Sequence, residues 1–389
     1  MTTIATTIAE RLQRVTGKSR AALHEPTFGG QELVYVTECI KTGWVSSVGA
    51  YVDRFERDLA TYTGAAHAVV VSNGTSALQV ALQLCGVGAD DEVLVPTLSF
   101  VATANAVRHC GAWPHFVDAD PLSLGVAVDA LQAHLETVAD QRTDGCFNRK
   151  TGRRIAALVP MHTFGHPVDM PALIRLANAW GIVVVEDAAE SLGSRIGDRH
   201  TGTFGTCATL SFNGNKIVTT GGGGAILTND PVLAKRAKHL TTTAKQPHAW
   251  AFVHDEVAYN YRLPNLNAAL GCAQLERLEA FVAAKRSLTE HYADAFSDVA
   301  GVDLFIERKT TRANYWLQTL ILSAGLAAKR DEILAATNAA GQMTRPVWEL
   351  LHRLPMYAGC FRMATPVAED LASRIINIPS SPQLVPGVV

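Results

Sequence analysis

Along the chain, short apolar runs without polar interruption alternate with segments in which apolar residues recur every three or four positions. The runs include Ala68–Val71, Glu92–Val95, Ile155–Val159 and Ile182–Val185. A strand with one solvated face alternates apolar and polar residues, so unbroken β-branched runs predict strands covered on both faces. Between them, Ser76 to Cys85 and Ala102 to Cys110 carry the period of helices laid on a sheet. Strand and helix alternation from Tyr51 to Asp230 predicts an α/β domain with a mostly parallel sheet. After Asn265 the pattern changes. Leu266 to Phe296 reads as one long helix leading to a smaller C-terminal domain, with a strand at Trp316 to Leu322 and a helix at Lys329 to Ala340. The expected division is a large domain at 1–265, with an N-terminal helical arm at 1–25, and a small α+β domain at 266–389.

Composition narrows the function classes. With 389 residues, 48% hydrophobic and 18% charged, the chain has enough apolar surface to bury a large core, which excludes a disordered or disulfide-stapled scaffold. Lys+Arg 34 against Asp+Glu 36 leaves no basic field for nucleic acid or anionic lipid, so any anion must be held locally. The basic stretch Asn148 to Arg154 lacks interleaved aromatics and reads as a solvated loop. The 7 cysteines are scattered, without C-x-x-C, and read as reduced thiols of a cytoplasmic protein. No apolar run reaches the ~18 residues of a membrane span, and the first residues lack the layout of a secretory signal. His162 and His166 have the spacing of a zinc pair, but Thr163 stands where a glutamate is needed, and Gly165 and Pro167 forbid a regular helix; no metal is expected.

Three segments carry candidate chemistry. Ser72-Asn73-Gly74-Thr75-Ser76 lies between a buried strand and a helix, where free N–H groups and hydroxyls form an anion site fit for a phosphate. The same residues also suit an ordinary helix cap. Glu186, Asp187 and Glu190 stand at the carboxyl end of a buried strand, the edge where open α/β sheets bind ligands. Ser211-Phe212-Asn213-Gly214-Asn215-Lys216 places a lysine among small and polar residues, ahead of four glycines, Gly221 to Gly224. The lysine precedes the glycines, so this is no Walker A, and G-x-G-x-x-G opening a helix is absent, which argues against a nicotinamide oxidoreductase. A phosphate, a ring nitrogen needing a carboxylate and a carbonyl needing a lysine together describe pyridoxal 5'-phosphate.

Those motifs, in that order, resemble the sugar aminotransferases of the DegT/DnrJ/EryC1/StrS family over nearly the whole chain. The resemblance implies the aspartate aminotransferase-like fold type I of pyridoxal phosphate-dependent transferases. It implies that Lys216 bears the cofactor as a Schiff base, that Asp187 meets the pyridine nitrogen, and that Gly74, Thr75, Ser76 and Ser211 hold the phosphate. Phe100 would stack on the ring, Glu190 would lie near the ring hydroxyl, and Asn260 would reach a neighbouring subunit's phosphate in a homodimer with shared sites. Lys216 separates the chain from family dehydratases that carry histidine there. The wording of Met161-His-Thr-Phe-Gly-His-Pro-Val-Asp, Thr241-Thr-Thr-Ala-Lys and Asn260-Tyr-Arg-Leu-Pro is most similar to a subgroup acting on UDP-linked 4-keto-6-deoxy-N-acetylhexosamines with L-glutamate as donor. Trp44, His162, Lys245, His248, His254 and Arg345 are then candidates for the nucleotide sugar. The alternatives are a GDP-linked 4-keto-6-deoxyhexose or a keto-cyclitol as acceptor, or a non-catalytic cofactor-binding regulator.

Overall fold

The computed structural model describes residues 3–385, so the outermost residues of both expected domains lie outside it. The central sheet has seven strands: β1 (His67–Val71), β2 (Glu92–Pro96), β3 (Trp113–Val117), β4 (Ile155–Leu158), β5 (Val183–Asp187), β6 (Cys207–Ser211) and β7 (Gly224–Thr228). Their spatial order is β1-β7-β6-β5-β4-β2-β3. The run from β6 to β3 is parallel, and β7 pairs antiparallel with both β6 and β1. The apolar runs are explained by two-sided burial. Val69 and Val71 pack into one core, while Ala68 and Val70 pack into the core on the opposite face.

Strand β7 escapes the sequence pattern because it begins at the last of the four glycines. A Cβ on Gly224 would lie 2.6 Å from the backbone of Asn73, so the glycine admits the close approach of β7 to the loop after β1. Gly224 therefore serves a backbone crossing. None of the four glycines lines the cavity at the carboxyl ends of the strands.

The stretch after Pro264 is two helices, Asn265–Glu276 and Leu278–Phe296, broken at Arg277, and not the single helix the sequence suggests. Leu275, Leu278 and Phe281 join the core of the large sheet, whereas Leu288, Tyr292 and Phe296 join that of a second sheet. That sheet comprises β8 (Val302–Leu304), β9 (Gln318–Leu322), β10 (Arg345–Pro346) and β11 (Ile375–Ile378), in the order β8-β9-β11-β10.

The N-terminal helix α1 (Ile4–Thr16) starts at the Thr3 cap, whose hydroxyl accepts from the Thr6 N–H at 3.2 Å, and stops at Gly17, where φ is 61°. Its apolar stripe of Ala5, Ile8 and Leu12 packs with Leu320, Ile333 and Ile376. The arm assigned to the large domain thus docks on the small one. The basic stretch 148–154 is also not simply solvated. Asn148 and Thr151 bond the buried Glu92 carboxylate, and Arg154 holds Asp91 through two nitrogens. Among the described residues the cysteines are free thiols, and no helix is long and apolar enough to cross a membrane.

Leu12 is fully buried, so Leu12→Ala should cost about 2–5 kcal/mol through lost burial and a cavity. Urea unfolding checks this. A loss below about 0.5 kcal/mol would show that α1 lies loosely on the surface.

Candidate active site

The carboxyl ends of β2, β5 and β6 and the loop after β1 converge on a cavity of about 350 Å³. Its wall includes Asn73, Gly74, Thr75, Phe100, Asp187, Glu190, Ser211, Lys216, Trp316 and Trp348. Sequence-distant motifs are thereby brought together by the parallel sheet, whose strand ends share one edge.

The anion cradle forms where β1 passes into α2 (Gly74–Leu84), a helix capped by Asn73, whose Oδ1 accepts from the Ser76 N–H at 2.8 Å. Gly74 and Thr75 stay on the cavity wall, beside Ser211 of β6. A Cβ on Gly74 would sit 3.0 Å from that of Ser211 and 3.2 Å from its Oγ, so a side chain there would crowd the cradle. Ser76, expected at the phosphate, is 8% exposed and does not line the cavity.

Adjacent carboxylates at the end of β5 have opposite tasks because successive residues of a strand face opposite sides. Glu186 is sealed in the interior. It accepts from His162 Nε2 at 3.1 Å and from the N–H groups of Gly202, Phe204 and Gly205. Burial pushes its carboxyl up, but His162 and these amides outweigh burial and hold it below the ordinary range. The Val168 N–H donates to His162 Nδ1 at 3.2 Å, which leaves Nε2 to carry the proton toward Glu186. His162 is fully buried and absent from the cavity wall; its expected place in a sugar pocket is corrected to that of Glu186's partner.

Asp187 faces the other way, into the cavity. Its Oδ2 accepts from the Thr103 hydroxyl at 2.8 Å, and its Oδ1 from the Ala189 N–H at 3.2 Å. Glu190 lies deeper. Lys216 Nζ donates to Glu190 Oε1 at 3.2 Å, and the Phe164 N–H donates to Oε2 at 2.9 Å. Phe164 makes that bond from a left-handed conformation, φ 55°, which a bulky residue adopts only under constraint. Burial raises the Glu190 carboxyl to about 7, against the opposing pull of Lys216.

The far wall comes from the small sheet and its loops. Trp348 lies 6.0 Å from Phe100 and 5.1 Å from Phe164, centroid to centroid, and Phe100 remains 47% exposed. Trp316, Trp348 and Thr103 were not singled out from sequence. The two tryptophans come from a region whose pattern speaks only of packing, and Thr103 sits inside a helical period. The remaining candidates do not line this cavity. Trp44, Lys245, His248, His254 and Asn260 are exposed. Arg345 is exposed too, and its Nη1 donates to Asn338 Oδ1 at 3.2 Å and to the Thr344 carbonyl at 2.9 Å.

A helix N-terminus with hydroxyls, a carboxylate on the cavity wall and a half-buried lysine are the donor set that a phosphorylated pyridinium aldehyde requires, so the residues fit the cofactor inferred from sequence. Comparison with known proteins agrees. The sequence profile described as the DegT/DnrJ/EryC1/StrS aminotransferase family matches residues 26–389. The chain belongs to this family, and its cofactor is pyridoxal 5'-phosphate. It is 36% identical over 364 residues to a GDP-perosamine synthase of Escherichia coli O157:H7, with 93% of each chain covered. It is 30% identical over 332 residues to a UDP-N-acetyl-3-dehydro-alpha-D-glucosamine 3-aminotransferase of Acidithiobacillus ferrooxidans, covering 85% of this chain and 83% of that one. The crystal structure of the aminotransferase TlmJ from Streptoalloteichus hindustanus superposes with a TM-score of 0.84 at 30% identity, over 93% of each chain. The fold is that of these aminotransferases.

The raised Glu190 pKa has a sign in stability. Between its ordinary 4.5 and about 7 the folded chain keeps a proton that the unfolded chain has released, so this contribution falls as pH rises through that window. His166, lowered by burial to about 3, acts oppositely, its contribution being lost as pH falls below 6.5. Glu190→Gln removes the first effect and leaves the second. The cofactor-free variant should therefore lose less stability than the native chain between about pH 5 and about pH 8 in urea titrations. Identical losses would show that Glu190 titrates normally.

Proposed function

We propose that the chain moves the amino group of L-glutamate to the C4 ketone of a nucleotide-linked 4-keto-6-deoxy sugar. The observation that carries this reading is Lys216 Nζ, the one amine on the cavity wall among the described residues, set 3.2 Å from Glu190 and sharing the cavity with Asp187 and the Gly74–Thr75 cradle. The bound cofactor supplies the carbonyl and the electron-accepting ring. The chain supplies the rest. Gly74, Thr75 and Ser211 would bind the phosphate, Asp187 would keep the ring nitrogen protonated, and Phe100 would stand beside the ring. Lys216 Nζ would carry the proton from the donor's α-carbon to the cofactor's carbonyl carbon in the first half-reaction, and a proton from that carbon to the sugar carbon in the second. Glu190, whose carboxyl titrates near 7, exchanges a proton with that amine at each turn.

The acceptor's nucleotide is where the reading departs from the UDP-linked subgroup. Identity is 36% to the GDP-perosamine synthase and 30% to the UDP-sugar 3-aminotransferase, each over most of the chain, which supports the GDP-linked 4-keto-6-deoxyhexose. Purified holoenzyme offered GDP- and UDP-linked 4-keto-6-deoxy sugars with glutamate should form the amino sugar at least about tenfold faster from the GDP substrate, a difference of ~1.4 kcal/mol. Equal or faster use of the UDP substrate overturns the nucleotide assignment. Lys216→Ala should leave less than about one-thousandth of the rate, since covalent and acid–base roles fall together; near-native turnover overturns the function.

A homodimer belongs to this reading. Leu33, Val34, Ile40, Trp44 and Val48 expose apolar surface along one helix and its following loop, and Trp250 and Phe252 do so on the loop carrying Lys245 and His248. Exposed large apolar side chains grouped on a segment in this way favour an interface. A second copy seated there accounts for candidate residues, Asn260 among them, that do not reach their own chain's cavity. Leu33→Asp should halve the sedimenting mass; a monomeric native chain overturns the dimer.

A further inference from the structure

The small sheet delivers one side chain to the back of the cavity. Trp316 stands two residues before β9, and its indole N–H donates to the Asn215 carbonyl at 2.7 Å. The same ring faces the neighbouring amine, with Lys216 Nζ 3.9 Å from its centroid. Trp316 therefore grips the peptide that carries Lys216 and also forms the floor beneath the amine.

The tryptophan is itself held at both ends of its backbone. Its N–H donates to Asn314 Oδ1 at 2.8 Å, and its carbonyl accepts from Lys285 Nζ at 3.1 Å. Lys285 is fully buried, and its other bond goes to the Ser380 carbonyl. No carboxylate pairs with it among the described residues, and burial drives its pKa well below that of an ordinary lysine. A neutral amine has two N–H groups, and here two carbonyls take them, as a fixed strut requires. His24, whose ring nitrogens are buried and whose pKa burial drives well below the ordinary value, lies in the same region, beside Lys285, Lys216 and Asn215.

Asn314 extends the grip to a second loop. Its Nδ2 donates to the Glu190 and Leu192 carbonyls, each at 2.9 Å. Between Asn314 and Trp316, Tyr315 is held at φ 49°, a conformation that persists only where the surroundings impose it. One strained turn thus reaches the backbone carbonyls of both Glu190 and Asn215, the residue before Lys216.

We propose that Trp316 is a positioning residue for the reaction, holding the Asn215–Lys216 peptide so that the amine stays within hydrogen-bond reach of Glu190. The proposal rests on Lys216 being the reacting amine, as argued above. Misplacement of a reacting group by about 1 Å costs on the order of a hundredfold in rate, so a small loss of restraint is legible in kcat.

The test is to replace Trp316 with β-(3-benzothienyl)alanine, in which sulfur takes the place of the N–H and the ring shape is kept. Trp316→Phe is made beside it. In the cofactor-free protein, amide hydrogen exchange over residues 213–218 should quicken about threefold to tenfold, the equivalent of one lost hydrogen bond. In the holoenzyme, kcat should fall about tenfold to a hundredfold, with KM for glutamate and for the sugar within about twofold, and with an unchanged melting temperature for the benzothienyl protein. A native kcat, whatever the exchange, overturns the proposal; so does a loss of kcat matched by a loss of melting temperature in the benzothienyl protein. Either result leaves the assignment of Lys216 standing, because that assignment fails only if Lys216→Ala retains turnover.

Discussion

Everything at the cavity depends on one alternation at the end of a buried strand. Glu186 and Asp187 are neighbours, yet the pleat sends one into the protein and the other into the cavity. The inward carboxylate gathers His162 and the amides of the turn 202–205, and so fixes the end of β5 from behind. The forward carboxylate can then be presented on a rigid base, with Thr103 and the Ala189 amide setting its plane. A one-residue slip of this strand would exchange the two and leave a free charge in the interior.

The same low-dielectric interior governs the ionisable groups around Lys216. Glu190 is held toward its neutral form, Lys285 and His24 are driven toward theirs, and each change follows from burial before any partner is counted. The back of the cavity is thus a region of sparse charge. In such a region a single proton, passed between an amine and a carboxyl 3.2 Å apart, changes the local field more than it would near solvent.

The sequence makes the parallel strands β2, β4 and β5 plain, because two-sided burial writes an apolar run that survives any choice of neighbours. Strands β3 and β6 do not stand out, because Pro114 and His115 interrupt the one and Thr209 and Ser211 the other. The residues of the cradle and the wall are equally plain, since Gly74 and Thr75 open a helix, Asp187 and Ser211 end strands, and Glu190 and Lys216 sit in the turns that follow those strands on the shared edge. What is illegible has a common cause. Strand β7 is hidden because its first residue, Gly224, answers to Asn73, a residue about 150 positions earlier that closes against it only after folding. His162 reads as a sugar-pocket residue because its chemistry is read before its burial; only the fold shows Glu186 waiting beside it. Trp316 and Trp348 belong to a domain whose sequence pattern records the small sheet's own packing, so the large domain's need for them leaves no periodic trace.

The docking of α1 has a consequence for how the chain is made. Its apolar stripe finds Leu320, Ile333 and Ile376, and Gln13 bonds the Ala340 carbonyl across 327 positions of sequence. At translation speeds of about 5–20 residues per second, the helix waits on the order of tens of seconds before its partners leave the ribosome. Throughout that interval Ile8 and Leu12 have no native surface to cover them, while the parallel sheet can already assemble. The segment synthesised early is therefore among the last to find its place, and the arm closes the small domain as a late step of folding rather than guiding its start.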